Sequence, residues 1–471
     1  MTDQTRYSFR LSHLRPTRRT LLGNAAKLGA AAAGTSLLGL PAPRSTSAQE
    51  SVQISMMGWG SPLEQENVEK GLQSFEGQTP GVTVEWIHVP DDYETKLKTA
   101  IAGGTAPDVF WATNMSDYVA LGAVMDITER VQADPVLGAP DYFLQPQESD
   151  RATVNGKWFG IGSCWVAPHL YYNADLLAEA GVTPPSNDPA QTWTWDQFIE
   201  VGRQLTIDNS GKHPGEDGFN ADDVRQWGVS WPTNAIHRNA LVFSNGGAGY
   251  RTDYTCGYDM PESIEALQAI ADLTLVHQVA PAPAAFEQMG MDAWTALATG
   301  NVAIICDGSW ALQDIAKLGF NFGCGVLPMM KEPATSMLAH CHVVSSATQH
   351  PEEAWKLLAY LSSDEYQLGL CQAGLWLPSH TSLLTADGQA QWLTEGVHPE
   401  GYGQLVSDYV LNHGVALFYP VGFSETDKML TAALDPVWIG DMTAQQALID
   451  GGVVEQVNGV LQEKQAQIAS V

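Results

Sequence analysis

Residues 52–111 read VQISMMGWGSPLEQENVEKGLQSFEGQTPGVTVEWIHVPDDYETKLKTAIAGGTAPDVFW, and the change of hydrophobic period inside this stretch decides the fold. Residues 52–57 form a short apolar run closed by Gly58, the length and composition of a strand. Leu63, Val68, Leu72 and Phe75 then recur at helical spacing. PGVTVEWIHV (80–89) alternates as a half-buried strand does, residues 93–101 return to helical spacing, and GGTAPDVFW (103–111) is a turn feeding another strand. The order β-α-β-α-β predicts an α/β fold with a parallel sheet covered by helices, whose ligands lie beyond the carboxyl ends of the strands. Trp59 and Trp111 fall at two such ends.

The pattern continues downstream. YYNADLLAEAGVTPP (171–185) reads as a strand end, a helix over 174–180 and a Gly-Pro stop. Thr194 can cap a helix running through Phe198 to Leu205, its hydroxyl taking an orphan amide of the first turn. Helices are expected over 261–276 and 294–299, and strands over 302–306, 320–327 and 340–345. PEEAWKLLAYL (351–361) begins a helix with Pro and two acids in its first turn. The rest is mostly helical, with no internal repeat.

The chain has 471 residues, 44% apolar and only 16% charged, so it can bury substantial cores. About 150 residues per domain suggests three domains, which two large ones also satisfy. The formal charge is -30, which disfavours nucleic acid and anionic bilayers as partners. Seven of the basic residues lie in the first 48, leaving 52 acids against 16 bases beyond them. Such a surface is expected of a saline habitat. TRRTLL (17–22), followed by a weakly apolar Ala-rich stretch, resembles a twin-arginine export signal spanning residues 1–48, with cleavage after Ala48. No Cys stands near that point, so a lipoprotein is not expected, and the destination is periplasmic or extracellular.

Six cysteines, Cys164, Cys256, Cys306, Cys324, Cys341 and Cys371, leave disulfide pairing open. No CxxC pair indicates zinc. His340-Cys341-His342 sets two imidazoles on one face of a strand, read as a partly buried pair rather than a metal site. Neither metal nor cofactor is expected.

Together PGVTVEW, GTAPDVFW, LYYNADLLAEAGVTPP, TWTWDQF, TGNVAIICDGSW, FGCGVLPM and PEEAWKLLAYL before GLWLPSH resemble, in order and spacing, the extracellular solute-binding proteins of ABC sugar importers, the family that includes maltose-binding protein. The resemblance implies a two-lobed periplasmic-binding-protein fold of type II with hinge crossings near 165–168, 339–342 and 376–378. One lobe would take 51–166 and 340–376, the other 167–339 and 377–471. It implies a monomer that binds a mono- or oligosaccharide between the lobes and delivers it to membrane permease subunits.

A sugar offers an apolar C–H face and an equator of hydroxyls, so its receptor needs flat aromatics beside polar groups. The chain has 15 Trp, several where loops leave strands. The DGSW-like turn makes Asp307 and Trp310 ligand candidates by resemblance. Trp111 with Asn114, Trp59 in the loop after the first strand, Trp165 and Trp376 at crossings, and Trp231 and Phe423 complete the set. Trp193, Trp195 and Trp355 read as packing. The alternatives are a receptor for a non-sugar solute such as a glycerol phosphate, polyamine or chelate, with Arg238 open to an anion, and a secreted glycoside-active enzyme using acids such as Asp91, Asp92, Asp117 or Asp307. No GxSxG, HExxH, phosphate-loop or dinucleotide motif is present, so no catalytic residue is assigned and an enzyme is not expected.

Overall fold

The computed structural model describes residues 51–283, 285–288 and 290–469; the expected export segment lies outside them. Val52–Gly58 pairs in parallel with Val82–His88 on one edge and with Val109–Ala112 on the other. Cys341–Val344 then adds antiparallel to Val109–Ala112, and Ile161–Gly162 antiparallel to that. The sheet is therefore mixed, a correction to the all-parallel expectation. Its last two strands do not arrive through a covering helix, so nothing imposes the parallel direction of a βαβ unit.

A second sheet has the order Phe322–Gly325, Pro168–Asn173, Val302–Gly308, Val224–Ser230 and Ile207–Asp208. Val302–Gly308 is parallel to Val224–Ser230 but antiparallel to Pro168–Asn173. Every residue of Val302–Gly308 is buried, as a continuous apolar run in a covered central strand requires.

The helices form where the local signals put them. Ser61 caps Pro62–Gln78, accepting from the Glu64 N–H, and the helix buries Val68, Leu72 and Phe75, each worth roughly 1.5–3 kcal/mol in removed apolar surface. Trp195–Leu205 opens on a full capping box: Gln197 N–H donates to the Thr194 hydroxyl at 3.2 Å, and Thr194 N–H to the Gln197 side chain at 2.9 Å. Ala174–Ala180 stops at Gly181, in the left-handed region at φ 67°, where only glycine is unstrained.

Three segments, around Trp165, Leu338 and Leu377, hydrogen bond to one another, and residues 163–167 pass from the first sheet to the second. Trp165 and Leu377 exchange N–H···O bonds of 2.8 and 2.9 Å, and Val166 and Leu338 exchange bonds of 2.9 and 3.1 Å. The segment around Trp165 is thus the centre of a short three-stranded ribbon. The last helix, Val453–Ile468, packs on both Phe423–Trp438 and Met115–Ala120, and Asn155 Nδ2 donates to the Ile468 carbonyl at 2.8 Å. All six cysteines are buried free thiols. Burial pushes the Cys256 thiol up to about 11 and the Cys341 thiol to about 12, so both stay protonated and unreactive.

Candidate functional site

The first sheet ends in an aromatic cluster. Gly58 closes its first strand because a Cβ there would sit 2.5 Å from the Trp86 ring and 2.6 Å from that of Trp111. Trp111 lies within strand Val109–Ala112 and is fully buried. Its indole stacks on His340 at 4.0 Å and 15°, with Trp59 edge-on at 5.0 Å and Trp376 at 6.0 Å. Tyr93 locks the arrangement, its hydroxyl donating to the Trp111 carbonyl at 2.7 Å. Trp59, half-buried, covers this cluster, while Trp376 is inside it at 4% exposure. His340 and His342 stand 5.1 Å apart on one strand face, as their spacing predicts. Burial holds His342 down at about 3 and pushes His340 well below the usual range, so both are neutral. No group of three or more potential ligands among the described residues could hold a metal ion.

A cavity of about 250 Å³ lies beside the crossings. Tyr254, Phe418 and Tyr419 line it, together with Gln147, Asp150 and Arg151. Tyr254 and Phe418 meet edge-to-face at 5.5 Å and 88°, a favourable aromatic geometry. Trp165 lines the cavity as well, with the Arg151 guanidinium stacked 4.0 Å from its ring. Three of the guanidinium's five N–H groups are engaged: Nε donates to Glu148 at 2.7 Å, Nη1 to the Cys164 carbonyl at 2.6 Å, and Nη2 to Glu148 again. Glu148, fully buried, also accepts from Gly162 N–H at 2.7 Å. By contrast, Gln147 Oε1, Trp165 Nε1 and both amide atoms of Asn114 are buried with no protein hydrogen-bond partner. Asn114 stands between Thr113 and Met115, which line the cavity.

A second cavity, about 540 Å³, adjoins the first through Thr252 and residues 416–419. Phe423 lines it, 4.3 Å from Tyr419 and 5.5 Å from Tyr250. Arg251 also lines it and is occupied by Asp259 at 2.6 Å and the Cys256 carbonyl at 3.0 Å. Arg238, left open for an anion by the sequence, is buried and bonded to Asp427 at 2.5 Å, Tyr258 at 2.9 Å and the Thr233 carbonyl at 3.2 Å.

The turn after Val302–Gly308 places Trp310 half-buried over Gly308, where a Cβ would sit 2.1 Å from the ring. Asp307 accepts from Gly308 N–H at 2.7 Å and faces His237 Nε2 at 3.6 Å, and His237 meets Trp310 at 5.8 Å. Trp231 lies behind His237, donating to its carbonyl at 3.2 Å and packed on Trp195 at 5.4 Å. The candidates thus fall into separate places: Trp59, Trp111 and Trp376 in the aromatic cluster, Trp165 at the first cavity with Asn114 adjoining it, Phe423 at the second, Asp307 and Trp310 at the turn, and Trp231 in packing.

Sequence reading missed Tyr254, Phe418 and Tyr419. The pair Phe418-Tyr419 before Pro420, outside any periodic core pattern, carries the same signal that singled out the tryptophans. Gln147, Asp150 and Arg151 carry none, because QESDRA reads as an exposed turn of helix.

Two mixed sheets joined by a hydrogen-bonded ribbon, with a polar and aromatic cavity at its side, define a two-lobed α/β binding protein. The chain belongs to the bacterial extracellular solute-binding protein family, which matches residues 56–368. It is 21% identical over 301 residues to the maltotriose-binding protein of Pyrococcus abyssi, covering 62% of this chain and 58% of that one. It is 26% identical over 219 residues to the arabinooligosaccharide-binding protein of Halalkalibacterium halodurans, covering 45% of each. The matches thus span about half the length of these curated relatives. In fold it is similar to the ABC substrate-binding protein Lmo0181 of Listeria monocytogenes in complex with cycloalternan, with a TM-score of 0.75 and 22% identity over 88% of this chain and 99% of that one. Among the described residues, no helix is long and apolar enough to cross a membrane.

Proposed function

We propose that this protein is the substrate-binding component of an ABC importer and that it takes a neutral mono- or oligosaccharide in the cavity beside the crossings. The carrying observation is the composition of that cavity. Flat rings of Tyr254, Phe418 and Tyr419 share the cavity with the unsatisfied polar atom of Gln147 and, next to it, those of Asn114, a combination that suits the apolar face and hydroxyl equator of a sugar. Each buried polar atom without a partner costs roughly 1–3 kcal/mol, which ligand hydroxyls recover. Arg151, Arg238 and Arg251 all have internal partners, which disfavours a glycerol phosphate. The names of the relatives, both oligosaccharide-binding, support the same reading.

The three crossings act as the hinge. Ligand contacts on both lobes exist only when the cleft is closed, so binding shifts the population towards that state. Export by the twin-arginine route would deliver the chain folded, a monomer that hands its sugar to permease subunits.

A thermal-shift screen of neutral sugars, spermidine and glycerol 3-phosphate tests this reading. A stabilising shift with a neutral sugar, lost in Tyr419→Ala, is the expected result. A shift with glycerol 3-phosphate or spermidine alone overturns it, and release of shorter sugars during incubation establishes the enzyme instead.

A further inference from the structure

Away from both cavities, the surface carries a concentrated apolar face. Among the described residues ten large apolar side chains are exposed, and five of them lie on two touching segments: Leu275 and Val276, then Ile439, Met442 and Ile449. The others stand apart along the sequence. Helix Pro261–Leu275 packs against Phe423–Trp438, and Gly440 sits so close to Leu275 that a Cβ would lie 3.2 Å from its methyl. Beside this face a groove of about 680 Å³ runs between Ile264 and Gln268 on one side and Thr443 and Ile449 on the other. Its floor is tied by Ala444 N–H donating to Gln268 Oε1 at 2.9 Å. From Ile264 to Leu275 the helix rises ~16 Å, room for about three turns of a second helix. Asp259 and Glu265 line the groove, and Glu262, Asp272, Asp441 and Asp450 lie within four residues in sequence of its lining or of the exposed apolar side chains. The neighbouring cations are spent on that rim, Arg251 on Asp259 at 2.6 Å and Lys331 on Glu262 at 3.6 Å.

We infer that this face is a docking surface for a basic amphipathic helix of a protein partner. An isolated apolar side chain needs no explanation, but a contiguous exposed face rimmed by polar groups marks an interaction site. The occupant follows from the charge. A second copy would set acidic rim against acidic rim, and an anionic bilayer would be repelled. A helix with leucines at i, i+3, i+4 and i+7 and lysines or arginines at its flanks satisfies both groove and rim.

The test uses the full chain and a fluorescein-labelled Leu/Lys peptide with that spacing, against a scrambled peptide of equal composition, by anisotropy in physiological salt. The patterned peptide should bind at least about tenfold more tightly than the scrambled one, and Val276→Ser with Ile439→Ser and Met442→Ser should remove that advantage. The melting temperature should not fall. Equal binding of the two peptides, or equal binding by parent and triple variant, reduces the effect to bulk charge and overturns the inference. So does a parent dimer that the triple variant abolishes, or flotation with phosphatidylcholine vesicles that it abolishes, since then a second copy or lipid is the occupant.

Discussion

The carboxylate of Asp117 accepts a hydrogen bond from the backbone N–H of Gly422 at 2.6 Å, joining the helix after the third strand of the first sheet to the start of Phe423–Trp438. Gly422 is the N-cap of that helix, in the left-handed region at φ 88°, so a negative charge meets the positive end of a helix dipole. The same loop carries Phe418 and Tyr419. Asp117 thereby holds the aromatic wall of the cavity in register with the opposite side, and Lys98, 3.7 Å away, steadies the carboxylate. Asp117→Ala should lower stability by about 1 kcal/mol and weaken ligand binding several-fold. Calorimetric titration and melting of the same sample check both, and unchanged affinity would separate the loop from the site.

Wall and packing aromatics should behave differently. Tyr254→Ala and Tyr419→Ala are each expected to weaken sugar binding by the order of 1 kcal/mol. Trp231→Ala should cost about 3–5 kcal/mol of stability and leave affinity unchanged, because its indole packs on Trp195 and Phe198. Denaturant unfolding alongside titration distinguishes the two classes. Loss of affinity in Trp231→Ala at full stability would return that residue to the site.

Arg151 and Glu148 form a buried pair beneath Trp165. Arg151→Met should destabilise by roughly 3–5 kcal/mol, since it strands the Glu148 charge. Adding Glu148→Gln should recover much of that loss, because an uncharged amide can still accept from Gly162 N–H. The measurement is a double-mutant cycle of unfolding free energies; additive effects would show the pair to be uncoupled.

Burial, with Asp314 nearby, raises Glu64 from 4.5 to about 8. Below pH 4.5 the group is protonated in both states and contributes nothing. As pH rises the unfolded chain releases its proton while the folded one retains it, so stability falls through this window and levels off above about 8. Glu64→Gln should therefore be more stable than the parent at pH 8 and match it at pH 4. Melting curves across that range check the sign, and parallel curves for the two proteins would refute it.

Buried histidines act at the other end. Burial lowers His169 and His342 from 6.5 to about 3, so acid protonates the unfolded chain first and stability drops as pH falls below 6.5. His342→Gln should flatten that limb between pH 6 and 4, as measured by denaturant midpoints at each pH.

Local patterning in the sequence was enough for many of the elements, though it left the strand Val224–Ser230 and the helix Ala235–Ser244 unread. The helices Ala174–Ala180 and Pro351–Leu361 occur at the residues their caps and periods predict, because an N-cap, a helical period and a terminal Gly act within a few residues of one another. The α/β class followed from the order of such segments, while the two-lobed plan and the solute-binding family came from the resemblance of the quoted motifs.

Strand direction and the site did not follow. Whether Cys341–Val344 runs parallel or antiparallel to Val109–Ala112 depends on where the chain returns from, a contact across more than two hundred residues that no local period encodes. The tryptophans were visible as residue types, yet Trp111 and Trp231 are inside the protein while Tyr254 and Tyr419, far apart in sequence, share the cavity wall. Composition tells which side chains can stack on a sugar, but burial is settled only when distant segments pack together, and it is packing that leaves one aromatic facing a cavity and encloses another.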